Sequence, residues 1–137
     1  MRKMSTEDIF CLFDTCKEVA FATVEGDRPR IRVFQVMRRE GRRLFFATSP
    51  KKEVYKQLQM NPNAEVMVTR NNVFLRITGQ VVFDVEDTTK REIYSANPVL
   101  PRLYAHYDDL VYFRLEAASM EYYDLTPTPP TIISEQL

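Results

Sequence analysis

The sequence predicts a mainly β domain, an antiparallel sheet closed into a barrel with helices inserted between its strands. Three observations carry that expectation. Runs rich in Val, Ile, Phe and Thr recur along the 137 residues, separated by glycine, proline or asparagine turn signals. Helical segments with their own start and stop signals interrupt those runs. A β-rich chain this short would leave costly edges unless the sheet closed on itself. Periodicity alone leaves an open α+β sheet as the alternative.

In chain order, Ser5-Thr6-Glu7-Asp8 has a serine followed three residues later by an acid, the pattern of a capping box. Ile9, Leu12, Phe13 and Cys16 then recur at helical spacing, so residues 6–16 read as an amphipathic helix. Glu18 to Val24 reads as a strand that turns at Glu25-Gly26-Asp27 into a second one beginning near Pro29. Arg38 to Arg43 reads as a polar turn around Gly41, and Leu44 to Thr48 as the next strand. A helix over 51–60 follows, with Ser49 as its N-cap and Pro50 as its first residue. Asn61-Pro62 stops it, because the residue before proline is steered away from helix. Ala64 to Thr69 and Val73 to Val85 form a strand pair around Asn71-Asn72, with Gly79 marking a bulge or bend. Asp87 to Ser95 is a helix, Leu100 to Tyr107 a helical turn, and Val111 to Leu125 a β-rich run. The proline-rich stretch from Thr126 opens a C-terminal arm over 126–137, which leaves one domain over 1–125.

The stretch from Arg28 to Leu58 carries the strongest chemical signal. Arg30 and Arg32 share one face of an extended strand, roughly 7 Å apart. Lys51 and Lys52 stand in the first turn of the following helix, where the dipole is already positive and each charge costs about 0.3–1 kcal/mol. An anion at that helix start removes the conflict, with backbone N–H groups and lysines pointing at it. A solvated basic turn, and edge-strand charges that discourage aggregation, account for the same residues without a ligand.

Composition narrows the alternatives. Lys+Arg and Asp+Glu balance at 19 each, which argues against a nucleic-acid partner. No run approaches the ~20 apolar residues of a membrane span, and residues 1–10 lack the apolar stretch of a signal peptide. A cytoplasmic protein with no membrane partner is therefore expected. The three glycines, Gly26, Gly41 and Gly79, cannot build a GxGxxG or Walker loop, so a phosphate must be met by side chains and a helix start. One histidine, His106, excludes a multi-histidine metal site, and no metal is expected. Cys11 and Cys16 lie about 140° apart around a helix and read as small core hydrophobes.

The ordered set Ala22-Thr23-Val24, Arg28-Pro29-Arg30-Ile31-Arg32-Val33-Phe34, Phe46-Ala47-Thr48, Lys52, Tyr55-Lys56-Gln57-Leu58 with Asn61-Pro62, and Leu75-Arg76-Ile77-Thr78-Gly79 resembles the FMN-binding split-barrel family related to pyridoxamine 5′-phosphate oxidase. It looks most like the short branch that contains nitroimidazole-reductase-like proteins. The resemblance implies a homodimer of six-stranded antiparallel split β-barrels with FMN, or another flavin, at the dimer interface. It places the flavin phosphate on Arg32 and Lys52, with Arg30 and Lys51 as weaker counterparts. Val33, Phe34 and Gln35 match the segment along the isoalloxazine ring, and Thr48 matches a hydroxyl near the phosphate or ribityl chain.

Departures from the family pattern also matter. The oxidase grips its vitamin substrate with a C-terminal arginine and histidine, and Thr131 to Leu137 contains neither. Phe74 stands near a position where the oxidase has a polar flavin contact. The resemblance therefore implies an FMN-dependent oxidoreductase that moves electrons from NAD(P)H to a small acceptor, such as a nitro compound or quinone, rather than a true pyridoxamine-phosphate oxidase. No catalytic side chain is assigned, since flavin chemistry is the cofactor's own. Two alternatives stand beside it: a non-catalytic flavin- or haem-binding carrier or sensor, and a barrel that binds an anionic polymer through Arg30, Arg32 and Lys52.

Overall fold

A computed structural model of the protein describes residues 4–137; the first three, part of the N-terminal stretch read above as lacking a signal peptide, lie outside the described residues. Eight antiparallel strands form one sheet: β1 (Glu18–Glu25), β2 (Arg28–Gln35), β3 (Arg38–Glu40), β4 (Arg43–Thr48), β5 (Asn63–Arg70), β6 (Val73–Val82), β7 (Val111–Asp124) and β8 (Thr131–Gln136). Their order is β2-β1-β5-β6-β7-β4-β3, with β8 added alongside the second half of β7.

The sheet is curled into a split barrel. β1 and β4 are not neighbours in the strand order, yet Phe21 and Phe46 meet edge-to-face with ring centroids 5.1 Å apart. Phe34 and Phe113 join them, at 4.9 and 6.0 Å from Phe21, to fill the interior with aromatic rings. Aromatic pairs in this geometry add about 0.5–1.5 kcal/mol beyond the area they bury. The open α+β sheet is excluded by these contacts. At one end of the split the chain itself bridges the gap, since the Met37 N–H donates to the Phe45 carbonyl at 2.9 Å.

Local sequence explains most boundaries. Ser5 and Asp8 form the expected capping box at the start of α1 (Thr6–Phe10), which Cys11 joins to α2 (Leu12–Thr15). Asn71 and Asn72 both take positive φ, 47° and 66°, and close the β5–β6 hairpin. Gly79 marks the bulge: β6 slips register against β7 between Thr78 and Gly79. A Cβ at Gly79 would stand 2.0 Å from the Glu116 carbonyl oxygen, so only glycine lets the two backbones approach this closely.

Five details differ from the sequence expectations, the first being that the sheet has eight strands rather than six, because the short β3 and the C-terminal β8 join it. Arg38–Glu40 is a short strand rather than turn, because Arg38 and Phe45 continue the pairing of β4. The helix after β4 is α3 (Glu53–Met60), and its N-cap is Lys52. Ser49 instead closes a preceding turn: its hydroxyl accepts from the Lys51 N–H at 3.2 Å and its carbonyl from the Lys52 N–H at 3.1 Å. The prolines keep 126–130 out of the sheet, but the arm beyond them pairs with β7 as β8. Cys11 is exposed at the end of α1 rather than buried, while Cys16 is half-buried against the core, and both thiols are free.

Helices α4 (Asp87–Ala96) and α5 (Val99–Leu103) pack a second apolar cluster outside the barrel, where Ile93 and Leu100 meet Phe45 and Tyr112. Among the described residues no helix is long and apolar enough to cross a membrane.

Gly79→Ala should lower the unfolding free energy by about 3 kcal/mol, as overpacking against fixed backbone does. Urea denaturation followed by circular dichroism checks this: the midpoint should fall with the slope unchanged.

Candidate functional site

Strand alternation divides the predicted residues of β2 between two faces. Arg30, Arg32 and Phe34 face the barrel side with Glu25, Thr23, Phe21 and Val19 of β1, whereas Ile31, Val33 and Gln35 face outward. Phe34 packs into the aromatic interior, and Val33 stays 70% exposed on the outer face beside Ile31 at 71%. Gln35 is exposed at the end of the strand, opposite Glu18.

Arg32 is the centre of the site. Its Nη1 donates to Thr23 Oγ1 at 2.8 Å and to the Phe21 carbonyl at 3.2 Å, and its Nη2 donates to Gln57 Oε1 at 2.7 Å. All three acceptors are neutral. Among the described residues Arg32 has no carboxylate partner. Partial burial, and then the neighbouring Arg30 charge, push the Arg32 guanidinium below its ordinary pKa. An anion placed against it would reverse both penalties.

Arg30 is in a different state. It forms an exposed ion pair with Glu25 at 2.9 Å, so its charge is already answered. Lys51 and Lys52 are exposed in the turn before α3 and have no ion-pair partner among the described residues. The backbone N–H groups of both lysines, expected to be open to an anion, are instead occupied by Ser49.

Thr48 supplies the second observation. It is 3% exposed at the end of β4, and its Oγ1 has no hydrogen-bond partner. Leaving a buried hydroxyl unmade costs about 1–3 kcal/mol. Its position follows from the fold. β1 and β4 run parallel on either side of the split, and Thr23 and Thr48 each stand two residues beyond the Phe21–Phe46 contact. Both inward hydroxyls therefore occupy the same rim of the barrel. The chain leaves Thr48, turns at Ser49, and returns through α3, which packs on β1 and delivers Gln57 to Thr23 and Arg32.

The structure thus ties Arg32 to the element that follows Thr48, Lys51 and Lys52. It leaves Val33 and Gln35 on the opposite face of β2 and commits Arg30 to Glu25. Two residues of the network, Thr23 and Gln57, escaped the sequence reading as site residues. Their signal was present: each is a polar side chain in an inward register, Thr23 after Val19 and Phe21, Gln57 between Val54 and Leu58.

The other tempting residues have ordinary roles. Arg76 pairs with Glu121 at 3.4 Å, and exposed His106 opens a 3-10 turn over Tyr107–Asp109. No cluster of His, Cys, Asp or Glu able to hold a metal occurs among the described residues.

The split barrel thus carries, among the described residues, a guanidinium without a carboxylate partner and a buried hydroxyl without a hydrogen-bond partner. The family model for pyridoxamine 5′-phosphate oxidase matches residues 5–124, and the chain belongs to that family. Among solved structures it is similar to a NimC/NimA family protein from Clostridium acetobutylicum, at 24% identity over 96% of this chain and 95% of that one, with a TM-score of 0.76. It is also similar to a protein from the same organism related to general stress protein 26 of B. subtilis, at 16% identity over 96% and 94% of the two chains, TM-score 0.79. A haem-binding protein from Mycobacterium smegmatis shares the fold over 99% of this chain and 59% of that one, at 14% identity and TM-score 0.81. At these identities the solved structures establish the fold alone. No curated protein matches the sequence.

Thr48→Val removes the unpartnered oxygen while keeping the side-chain volume. In the ligand-free protein it should raise stability by about 1 kcal/mol, since no hydrogen bond is lost. A thermal melt without added ligand checks the sign.

Proposed function

We propose that the protein binds FMN with its phosphate on the Arg32 rim and serves as an oxidoreductase that passes electrons from NAD(P)H to a small acceptor. The observation that carries this reading is the half-buried Arg32 guanidinium, held among the described residues by neutral acceptors alone. Thr48 Oγ1, buried without a partner on the same rim, fits a donor to a phosphate or ribityl oxygen. Lys52 and Lys51, unpaired ahead of α3, add positive charge from the adjoining turn. Family membership supports the same assignment.

Bound FMN would supply the hydride- and electron-transfer chemistry. The chain's own part is binding and orientation. Arg32 and Thr48 would hold the phosphate end, and Lys52 would strengthen the field there. Val33 and Gln35, on the outward face of β2, would flank the ring. β8 carries neither arginine nor histidine, which supports a substrate other than the vitamin phosphate.

The reading includes a homodimer. Ile31 and Val33 are 71% and 70% exposed, their cross-strand neighbours on β1 are Ala22 and Ala20, and Met67 of β5 lies opposite Ala20. These side chains make a continuous apolar face on the outside of the sheet, of the kind that marks an interface. A second copy covering this face would close the flavin site over β2.

The haem-binding neighbour keeps a second cofactor in view, and the absorbance spectrum of purified protein after incubation with each cofactor distinguishes them. The proposal expects a flavin spectrum and NAD(P)H oxidation once an acceptor is added. A protein that stays colourless and does not bind FMN overturns it. A stable flavin complex without turnover across a broad acceptor panel reassigns the protein as a carrier or sensor.

Arg32→Ala should weaken FMN binding about ten- to a hundredfold, the loss of one charge-assisted hydrogen-bonding group. Fluorescence titration measures it, and an affinity within about twofold of the parent places the phosphate elsewhere. Ile31→Glu combined with Val33→Glu should convert the dimer to a monomer in light scattering and reduce flavin affinity with it, because each protomer would bury two carboxylates in the interface.

A further inference from the structure

Gln57 is a polar side chain only 5% exposed, on a helix whose other buried residues are Val54 and Leu58. A buried amide is stable only where its hydrogen bonds are made. Gln57 Oε1 accepts from Thr23 Oγ1 at 2.6 Å and from Arg32 Nη2 at 2.7 Å, while its Nε2 donates to Glu25 Oε2 at 3.2 Å. A carboxylate only accepts, so Glu25 holds the NH2 end of the amide and turns the carbonyl end toward Arg32.

The guanidinium has five N–H groups. Nη1 spends its pair on Thr23 and the Phe21 carbonyl, and Nη2 spends one on Gln57. The remaining two sit on Nε and Nη2, adjacent nitrogens able to grip two oxygens of one phosphate. Gln57 therefore fixes the direction of Arg32 while leaving its charge unanswered. A glutamate at this position would lose the bond to Glu25 and cancel the charge that a phosphate needs.

We infer that Gln57 is a positioning residue for Arg32 and sets the preference for a flavin carrying a phosphate monoester over the same flavin without it. This inference rests on the flavin reading above. Its observable is a ratio of two affinities, which a loss of general structure would not move.

The test titrates FMN and riboflavin against the parent protein, Gln57→Glu, Gln57→Leu and Arg32→Ala, following flavin fluorescence. The parent should prefer FMN. Gln57→Glu should weaken FMN binding about tenfold or more, with riboflavin within about twofold, as an added ion pair displaces the phosphate. Gln57→Leu, which leaves Arg32 unguided, should erode the preference by a smaller factor. A preference that survives in Gln57→Glu but vanishes in Arg32→Ala overturns the inference and leaves the flavin reading standing. An equal loss for both flavins marks a purely structural role and also overturns it. If the parent binds neither flavin, the flavin reading falls and takes this inference with it. Should Gln57→Glu fail to fold by circular dichroism, Gln57→Leu decides: an FMN preference unchanged within about twofold overturns the inference.

Discussion

The contact of Phe21 with Phe46 across the split is the constraint from which the site follows. A flat sheet would hold β1 and β4 on separate strands far along the order, whereas the curl brings them ring to ring at 5.1 Å. Curling needs a place where the sheet can bend, and the close backbone approach at Gly79 provides it. With β1 and β4 side by side, the residues beyond each phenylalanine share one rim. Thr23 with its partner Arg32 stands on one side of that rim, and Thr48 with the chain leading into α3 on the other.

Charge is distributed over this frame in two ways. Most arginines are answered: exposed Arg30 by Glu25, Arg76 by Glu121 and Arg91 by Asp87, and half-buried Arg39 by Asp14 and Glu7. Pairs of that kind contribute little stability and account for the even balance of charge. Arg32 departs from the pattern, because it is half-buried, meets only neutral oxygens, and carries a lowered pKa from burial and from Arg30. Such an arrangement suits the proposed phosphate site, where the complementary charge would come from the ligand.

The sequence made much of this legible through short-range rules. Ser5 to Asp8 announced its cap, Asn71-Asn72 its hairpin and Gly79 its bulge, because each depends on residues close in the chain. Arg32 and Thr48 were marked as candidate site positions by the family resemblance. Thr23 and Gln57 were not, although each puts a polar group in an inward register, since a partner 34 residues away cannot be read from local pattern. Ser49 was misread as the helix cap for the same reason in miniature: serine before proline suits a turn as well as a helix start, and the turn took its hydroxyl. Cys11 was assigned to the core from its helical spacing, but the face it occupies opens to solvent.

What the chain alone determined is the alphabet of the protein: strands, turns, one bulge, balanced charge, and a cluster of cations around residues 30 to 52. Which of those cations stays unanswered was decided only by folding. Arg30 and Arg32 are equivalent in sequence, two residues apart on one face. Register brings a carboxylate to the first and two neutral side chains to the second, because Glu25 sits at the hairpin end while Thr23 and Gln57 close over the rim. Charge pairing depends on distances of a few ångströms between segments remote in the chain, and only tertiary structure sets those.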